Sequence, residues 1–514
     1  MPASVANERK IKTFEEMELI LERLRQAGSR IIQCHGVFDL LHVGHIRHFR
    51  EAKARGECLV VTVTPDRFVN KGPGRPAFTE RLRLEALAAL SDIDYVILNR
   101  DPDAVSAIRL LRPHFYVKGV EYQNHAEDVT GKISEEERAV KEVGGAIHYT
   151  DDIVFSSSSL LNRYFDSTPP EVTEFMAKIK AEYTTADLLK KIEGLSNLNV
   201  LVIGDAIIDE YQYAESLGQT GKGLHMVARC LEKEVFLGGA LIVANHIAEF
   251  AKGVTLATAL GKECPYLNLI RNHLAPNVKA EFAYLQETTT LIKKRYVLKD
   301  GKTLTKLFET YSGHEDPLSE DQTDRFIKLL KEKGGGYDLV LVCDFGNGFT
   351  NQRLIDAIGD VRSFLALNTQ TNSGNRGYNV ITNYHRADYI SLNEPELRLA
   401  AHDRTSSLEG IASDISQIMQ CKTLSVTRGV RGLLCHSAPE TFLHLPPFAT
   451  HSIDRIGAGD SYFSLSALCF AKGYAPLISS FVGSVAAAMS IQVVGNQEHT
   501  KKAPLCKFIT RLMK

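Results

Sequence analysis

The 514-residue chain has no Trp, no two cysteines at CxxC spacing and no excess of either charge. The missing Trp decides nothing. Nine cysteines stand singly from Cys34 to Cys506, which argues against a disulfide framework and reads as reduced thiols in a cytoplasmic protein. With 60 basic against 62 acidic residues, the formal charge of −2 leaves no electrostatic footprint for nucleic acid or for an anionic membrane. No run approaches the ~20 apolar residues of a membrane helix. The opening MPASVANERKIK lacks the apolar region of a secretory signal. What is present is an ordinary globular composition, 44% apolar and 24% charged, on a chain too long for one core. Two or three domains are expected.

Strand and helix alternate over residues 1–165. The spacing predicts a helix over TFEEMELILERLRQAG, a strand over IIQCHGVF, a helix over LHVGHIRHFREAKARG and a strand over CLVVTVTPD. Further pairs follow to FYVKG, the pattern of a parallel, doubly wound sheet. Residues 166–197 open with the break DSTPPEV, continue as a polar stretch expected to be helical, and read as a linker. A second alternating series fills 198–514, from VLVIGDAIID through YDLVLVCDFG, FLALN, ADYISLNE and LSVTRG to helices around 460–491. The expectation is an α/β chain of two tandem domains of unequal size.

The stretch QCHGVFDLLHVGHIRHF concentrates four histidines at a strand-to-helix junction. A metal site would use His42, His45 and His48, but on a helix the first and third diverge by about 120°, and no thiolate or carboxylate stands at ligand spacing. A core role suits His48 on a helix face and leaves it without a function. It does not account for His42 and His45 flanking Gly44. Phosphate chemistry does: a helix N-terminus after a parallel strand presents unpaired amides and partial positive charge at the sheet's C-terminal edge. Gly36 and Gly44 allow close backbone approach. Imidazoles one turn apart can donate to an α-phosphate in the transition state. His35 is placed in the loop near the nucleotide.

HGVFDLLHVGH resembles the signature of the cytidylyltransferase-like nucleotidyltransferases, which join a nucleotide to a phosphorylated small molecule and release pyrophosphate. The resemblance covers most of residues 10–165 and implies a Rossmann-like HxGH domain. It places Gly36, Phe38, Asp39 and Gly44 at the nucleotide and makes His42, His45 and Lys71 catalytic. VTVTPDRFVNKGPGRPAFTERLRLEAL is similar to the family's second strand, basic loop and following helix, so that Lys71, Arg75 and Arg81 are implied to meet the phosphates. VKGVEY, with Lys118, resembles the fourth strand of the heptose-phosphate branch. FSSSSLL resembles the helix start that closes over the nucleotide, with Ser156, Ser157 and Ser158 (and Ser159 after them) as donors. Asp151 stands where the glycerol and choline branches carry Arg, which favours the heptose-like branch.

In the second domain, HSIDRIGAGDSYF holds a glycine turn opening a helix and ending in a carboxylate. Such a turn is either structural or an anion hole, in which Gly457, Ala458 and Gly459 present amides to a γ-phosphate while Asp460 takes a proton from an acceptor hydroxyl. Residues 198–500 resemble the ribokinase-type carbohydrate kinases. That likeness implies a larger ribokinase-like α/β domain with Asp205, Asp209, Gly238 and Gly239 at the sugar. It also implies Asn393 and Glu396 of NEPE organising Mg²⁺ and phosphate, and Thr427, Gly429 and Gly432 of TRGVRG beside the adenine. Two positions depart from the related heptose kinases: Ile242 replaces a sugar-contacting Asn, and the amide-rich 368–379 segment lacks a phosphate-binding lysine, for which Arg376 is the available substitute. A kinase with an altered acceptor and a silent sensing or scaffolding domain both remain open.

The pairing resembles the bifunctional heptose kinase/adenylyltransferases, with the order of the halves reversed. It implies ATP-dependent phosphorylation of a heptose-like sugar, expected at the anomeric hydroxyl, and nucleotidyl transfer from ATP or CTP to a sugar phosphate. A transferase using CTP and a polyol phosphate stays open beside it. Mg²⁺ would come with the nucleotide, near Glu396 and without a direct protein ligand set. The implied partners are a small sugar or sugar phosphate, nucleoside triphosphates and a second copy of the chain, with no nucleic acid and no membrane.

Overall fold

The computed structural model describes residues 8–69, 75–120, 132–150, 169–223, 225–300, 303–313, 317–333, 336–438, 441–449 and 451–514. It divides into two units, residues 1–169 with 506–514, and residues 170–505.

In the first unit six strands run parallel: β1 (Ile11–Lys12), β2 (Ile31–Gly36), β3 (Cys58–Val63), β4 (Tyr95–Leu98), β5 (Phe115–Gly119) and β6 (Ala146–Thr150). Helices α1 (Phe14–Gln26), α2 (Val43–Lys53), α3 (Glu80–Ala88), α4 (Val105–Leu111) and α5 (Lys132–Glu142) alternate with them. Every residue of β3 is buried, as a strand covered on both faces requires. Its side chains divide with period two. Leu59, Val61 and Val63 pack with Ile32, Phe49 of α2 and Leu84 of α3; Cys58 and Val60 pack with Ile31 and with Met17 and Leu21 of α1. The spatial order is β1-β4-β3-β2-β5-β6, so the winding reverses at β2, and α2 begins just past that strand. Ligands of open α/β sheets bind at such a reversal.

The second unit starts earlier than its sequence suggests. Residues 170–197, read as a linker, form α6 (Pro170–Glu182) and α7 (Thr185–Glu193). α6 buries Val172, Phe175, Met176 and Ile179, and the Phe175 ring meets Phe448 and Phe481 at 5.7 and 6.2 Å. The polar residues of this stretch are one face of amphipathic helices, not a tether.

A nine-stranded sheet follows: β7 (Asn199–Gly204), β10 (Gly253–Glu263), β11 (Val278–Thr289), β14 (Leu339–Asp344), β15 (Phe364–Thr369), β16 (Tyr389–Asn393), β17 (Thr423–Thr427), β18 (Leu433–Ser437) and β19 (Thr441–Leu445). The order is β11-β10-β7-β14-β15-β16-β17-β18-β19, parallel as far as β17, with β18 and β19 antiparallel. Its core joins Leu201, Ile203, Val340, Val342, Leu365, Leu367, Ile390 and Val426.

A separate four-stranded sheet, the lid, has the order β13-β12-β8-β9, where β8 is Ala206–Gln219, β9 Met226–Gly239, β12 Ile292–Asp300 and β13 Thr303–Ser312. Within VLVIGDAIID, which opens the second alternating series, the chain leaves the large sheet at Asp205 and starts the lid. The lid is illegible in the sequence because the outer ends of β8 and β9 are exposed on both faces and carry no alternation. Among the described residues no helix is long and apolar enough to cross a membrane.

Candidate active sites

In the first unit, β2 passes through Val37–Leu41 into α2. His42 is the N-cap of α2, and its Nδ1 accepts from the Gly44 amide at 3.2 Å. That bond leaves the ring's proton on Nε2. Nε2 is buried with no hydrogen-bond partner among the described residues. Burial also lowers the His42 pKa, so the ring is neutral at pH 7. A buried donor without an acceptor costs about 1–3 kcal/mol, which an incoming phosphate oxygen would recover. The His45 ring lies 3.9 Å from that of His42, backed by the Phe38 ring at 5.5 Å.

Phe38 holds φ at 50°, a left-handed conformation that few aromatic residues adopt. Its ring fills the space over Gly36, where a Cβ would come within 3.0 Å of it. Gly36 is expected from the sequence to make room for a triphosphate; in the structure the group that its missing side chain makes room for is the Phe38 ring.

The basic residues separate sharply. Asp39 is buried and accepts from Arg75 at 3.3 Å and from the Phe78 amide at 3.1 Å, so Arg75 is drawn into an internal ion pair. Arg81 does not enter the site: its side chain is 85% exposed and pairs with Glu85 one turn on. The buried cation is Arg83, which the sequence reading passed over. It donates to the Val37 carbonyl at 2.5 Å, the Thr64 carbonyl at 2.9 Å and Asp66 at 2.6 Å, pinning the β2 and β3 exits to α3. Helical spacing carried the signal, since Arg83 shares a face with Leu87 whereas Arg81 shares one with Glu85.

Lys118 on β5 forms a buried ion pair with Glu136 at 2.9 Å, and Tyr116 also donates to that carboxylate. Burial pushes the Glu136 carboxyl up, but Lys118, His35 and the two hydrogen bonds outweigh it and hold it below the ordinary range.

His48, given no role above, bonds Thr150 of β6 through Nδ1 at 2.9 Å, and burial lowers it to about 4. His35 belongs to β2, not a loop, and contacts Thr62 at 2.9 Å and Thr64 at 3.3 Å. Lys71, Asp151 and Ser156–Ser159 lie outside the described residues. Among the described residues no group of three or more His, Cys, Asp and Glu converges on a metal position, so the histidine-cluster metal reading has no support there.

In the second unit the GAGD turn opens the Ala458–Ala471 helix, with Gly457 as its N-cap at φ 81°. A Cβ on Gly457 would strike Asn496, while the Gly459 position faces open space. Asp460 is half-buried at the helix start; loss of solvent and the Asp209 charge push it up to about 7, against Lys293 and a 3.2 Å hydrogen bond from Gln370. A carboxyl near 7 is matched to general-base work at neutral pH.

Asp209 lies close enough to act on it, and accepts from Arg295 at 2.5 Å and Asn496 at 3.2 Å. Gly238 and Gly239 are glycines because of the two aspartates. A Cβ at 238 would sit 2.5 Å from Asp209 Oδ2, and at 239, where φ is 57°, one would strike the Asp205 carbonyl.

Asp205, expected at the sugar, lines a cavity with Asn347, Phe349 and Thr290, and its carboxylate is also tied into the fold. Its oxygens accept from the Phe345 and Phe349 amides at 2.8 and 3.4 Å, tying β7 to the β14 exit, and burial with the neighbouring Asp344 pushes its carboxyl up. Asn393 and Glu396 form a capping box, each side chain accepting from the other's amide at 2.8 Å. Burial raises Glu396 to about 7, with Asp460 contributing. Thr427 ends β17, and Gly429 and Gly432 bracket the turn into β18.

Ile242 is buried in the apolar Ala240–Ala248 helix. The amide-rich segment turns inward: Asn375 donates to the Phe345 and Gly346 carbonyls and Asn379 to Asp344, while Arg376 is exposed. These amides tie the segment by hydrogen bonds to the β14 exit.

Comparison with known proteins agrees with this division. A cytidylyltransferase-like family model matches residues 34–168, and the pfkB family carbohydrate kinase model matches residues 197–503. The bifunctional protein HldE of Aliarcobacter butzleri (strain RM4018) is 38% identical over 138 residues, 26% of this chain and 29% of that protein. HldE of Syntrophotalea carbinolica is 35% identical over 160 residues, 30% and 31% of the two chains. The likeness falls on the N-terminal domain, and the chain spans less than a third of the length of these relatives. Phosphofructokinase-2 from Escherichia coli, in complex with substrates and products, superposes on 62% of this chain and 100% of its own with a TM-score of 0.50 at 15% identity, a likeness of fold.

Proposed function

We propose, for a chain that belongs to the pfkB family of carbohydrate kinases and carries a cytidylyltransferase-like domain ahead of the kinase domain, a bifunctional enzyme of nucleotide-sugar synthesis. The second domain phosphorylates a heptose-like sugar with ATP, and the first transfers a nucleotidyl group from ATP or CTP to a sugar phosphate, releasing pyrophosphate. The observation that carries the reading is Asp460, a half-buried carboxyl raised to about 7 in the first turn of the helix that the glycine turn opens. It removes the hydroxyl proton as the acceptor oxygen attacks the γ-phosphorus. In the first domain the His42 Nε2–H and the His45 ring meet the charge that grows on the α-phosphate as the sugar phosphate attacks in line. Mg²⁺ would enter on the nucleotide's phosphates, with Glu396 near it as a carboxyl already committed to its capping box.

A second reading has its own support. Asp205 is taken up by amides, Asp209 by Arg295, and Ile242 is apolar, which fits a kinase-like domain that senses or scaffolds while the first domain alone is catalytic. The test is a panel: ATP and CTP, each against sugar 1-phosphates and glycerol phosphate, read by pyrophosphate release, together with ATP-dependent phosphorylation of free sugars. Phosphorylation that disappears in Asp460→Asn supports two enzymes. No phosphorylation by the wild type across the panel leaves the second reading.

A further inference from the structure

Most basic side chains of the lid are spoken for. Arg295 is held by Asp209 and Glu309 at 2.5 and 3.1 Å, Lys306 by Asp454 at 2.6 Å, and Lys294 by Glu210 at 2.8 Å. Lys293 differs. It is 8% exposed, and the contacts described for its ammonium are the ring faces of Tyr311 and Phe345, 5.2 and 5.7 Å away. Strand register puts it directly across from Asp209 in β8 and Tyr311 in β13.

A lysine side chain this buried whose ammonium meets no carboxylate among the described residues is costly to keep charged. The nearby carboxylates act on it through space but are engaged elsewhere: Asp205 by two amides, Asp209 by Arg295 and Asn496, Asp460 by Gln370. Asp209, the register partner of Lys293, accepts from Asn496, and the Asn496 side chain packs against Gly457 of the glycine turn, so the unfilled position adjoins the turn that carries Asp460. An anion from outside, small enough to sit between the lid and the glycine turn, completes it.

Resting on the kinase reading above, the geometry points to Lys293 as a further catalytic residue, whose ammonium closes an oxyanion site for the phosphoryl group in transfer. The acceptor oxygen bonds to the γ-phosphorus as the bond from that phosphorus to the β–γ bridging oxygen breaks. ADP leaves with the electron pair, and Asp460 takes the hydroxyl proton. Lys293 exchanges no proton; it offsets the charge spread over the three equatorial oxygens.

The full-length chain tests this as wild type, Lys293→Met and Lys293→Arg, checked for equal thermal unfolding. Calorimetric titration of inorganic phosphate in the presence of Mg·ADP reads the site without turnover. Wild type is expected to bind, Lys293→Met to lose affinity by about tenfold or more, and Lys293→Arg to stay within about threefold. With ATP and a sugar that the wild type phosphorylates, kcat falls about 10²–10³-fold in Lys293→Met at nearly constant KM, with partial rescue in Lys293→Arg. Equal phosphate affinity in wild type and Lys293→Met overturns the site whatever the turnover. Phosphate binding lost in Lys293→Met, in a chain that phosphorylates no sugar, upholds the site and removes the kinase reading. A raised KM confined to phosphorylated sugars, at unchanged kcat, overturns the catalytic role by assigning the anion to the acceptor.

Discussion

In the first unit the His42 ring is neutral and holds a proton that no acceptor among the described residues meets; in the second the reactive carboxyl is half-buried and held near 7. Both stand at the start of a helix that follows a sheet's edge, yet one arrangement offers hydrogen bonds and the other removes a proton. The difference teaches that a helix N-terminus with glycines is only a platform. The titration state of the side chain placed on it decides the chemistry.

The sharpest break in that comparison is Asp460→Asn. Loss of a general base costs about 10²–10⁴ in rate, so sugar phosphorylation is expected to collapse while pyrophosphate release is unchanged. The same variant carries a stability signature. The folded Asp460 carboxyl lies above its ordinary value of 3.8, so its contribution is intact below that pH and is lost as pH rises through about 7. At pH 8 Asp460→Asn should therefore unfold later than wild type, by up to about 4 kcal/mol, and the advantage should vanish near pH 4. A variant that is both inactive and no more stable at pH 8 would break the claim of a strained, half-buried base.

On the other side, His42→Ala is expected to reduce pyrophosphate release by about 10²–10³-fold and to leave sugar phosphorylation alone. The pH dependence of stability runs in the opposite sense at His48. Its folded pKa of about 4 lies below the ordinary 6.5, so the stability it brings is present above 6.5 and lost as pH falls toward 4. Denaturant melts of wild type and His48→Gln across that window should differ by about 3 kcal/mol at most. If the two melts run parallel, His48 is not the buried neutral ring described.

The smallest effect sharpens which cations serve the first site. Arg83→Ala removes four hydrogen bonds and leaves Asp66 without its buried partner, a loss of about 3 kcal/mol or more. Arg81→Ala should stay within about 0.5 kcal/mol with unchanged activity. Chemical denaturation and pyrophosphate release read both.

What the sequence made legible follows from range. The HxGH segment could be read because a strand end, an N-cap and an i,i+3 spacing are all local, and His42 and His45 stand together as those rules place them. GAGD was legible for the same reason. Asp205 was not, because two amides across the sheet, from Phe345 and Phe349, decide what its carboxylate does. The choice between Arg81 and Arg83 was available in the helical phase but hidden by the weight given to the basic loop before them. The lid escaped altogether, since the outer ends of β8 and β9 face solvent on both sides and its charged rungs pair across β8, β12 and β13, up to 86 residues apart.

Phe38 resting over Gly36 has a consequence for how this chain can change over generations. A lone Gly36→Ala drives a methyl group into the ring, and a lone Phe38→Ala strips the backing from His45 and leaves a void beside Phe49. Neither step is open without the other. The HGVF segment is therefore expected to be inherited as a block, its two positions altering together or not at all.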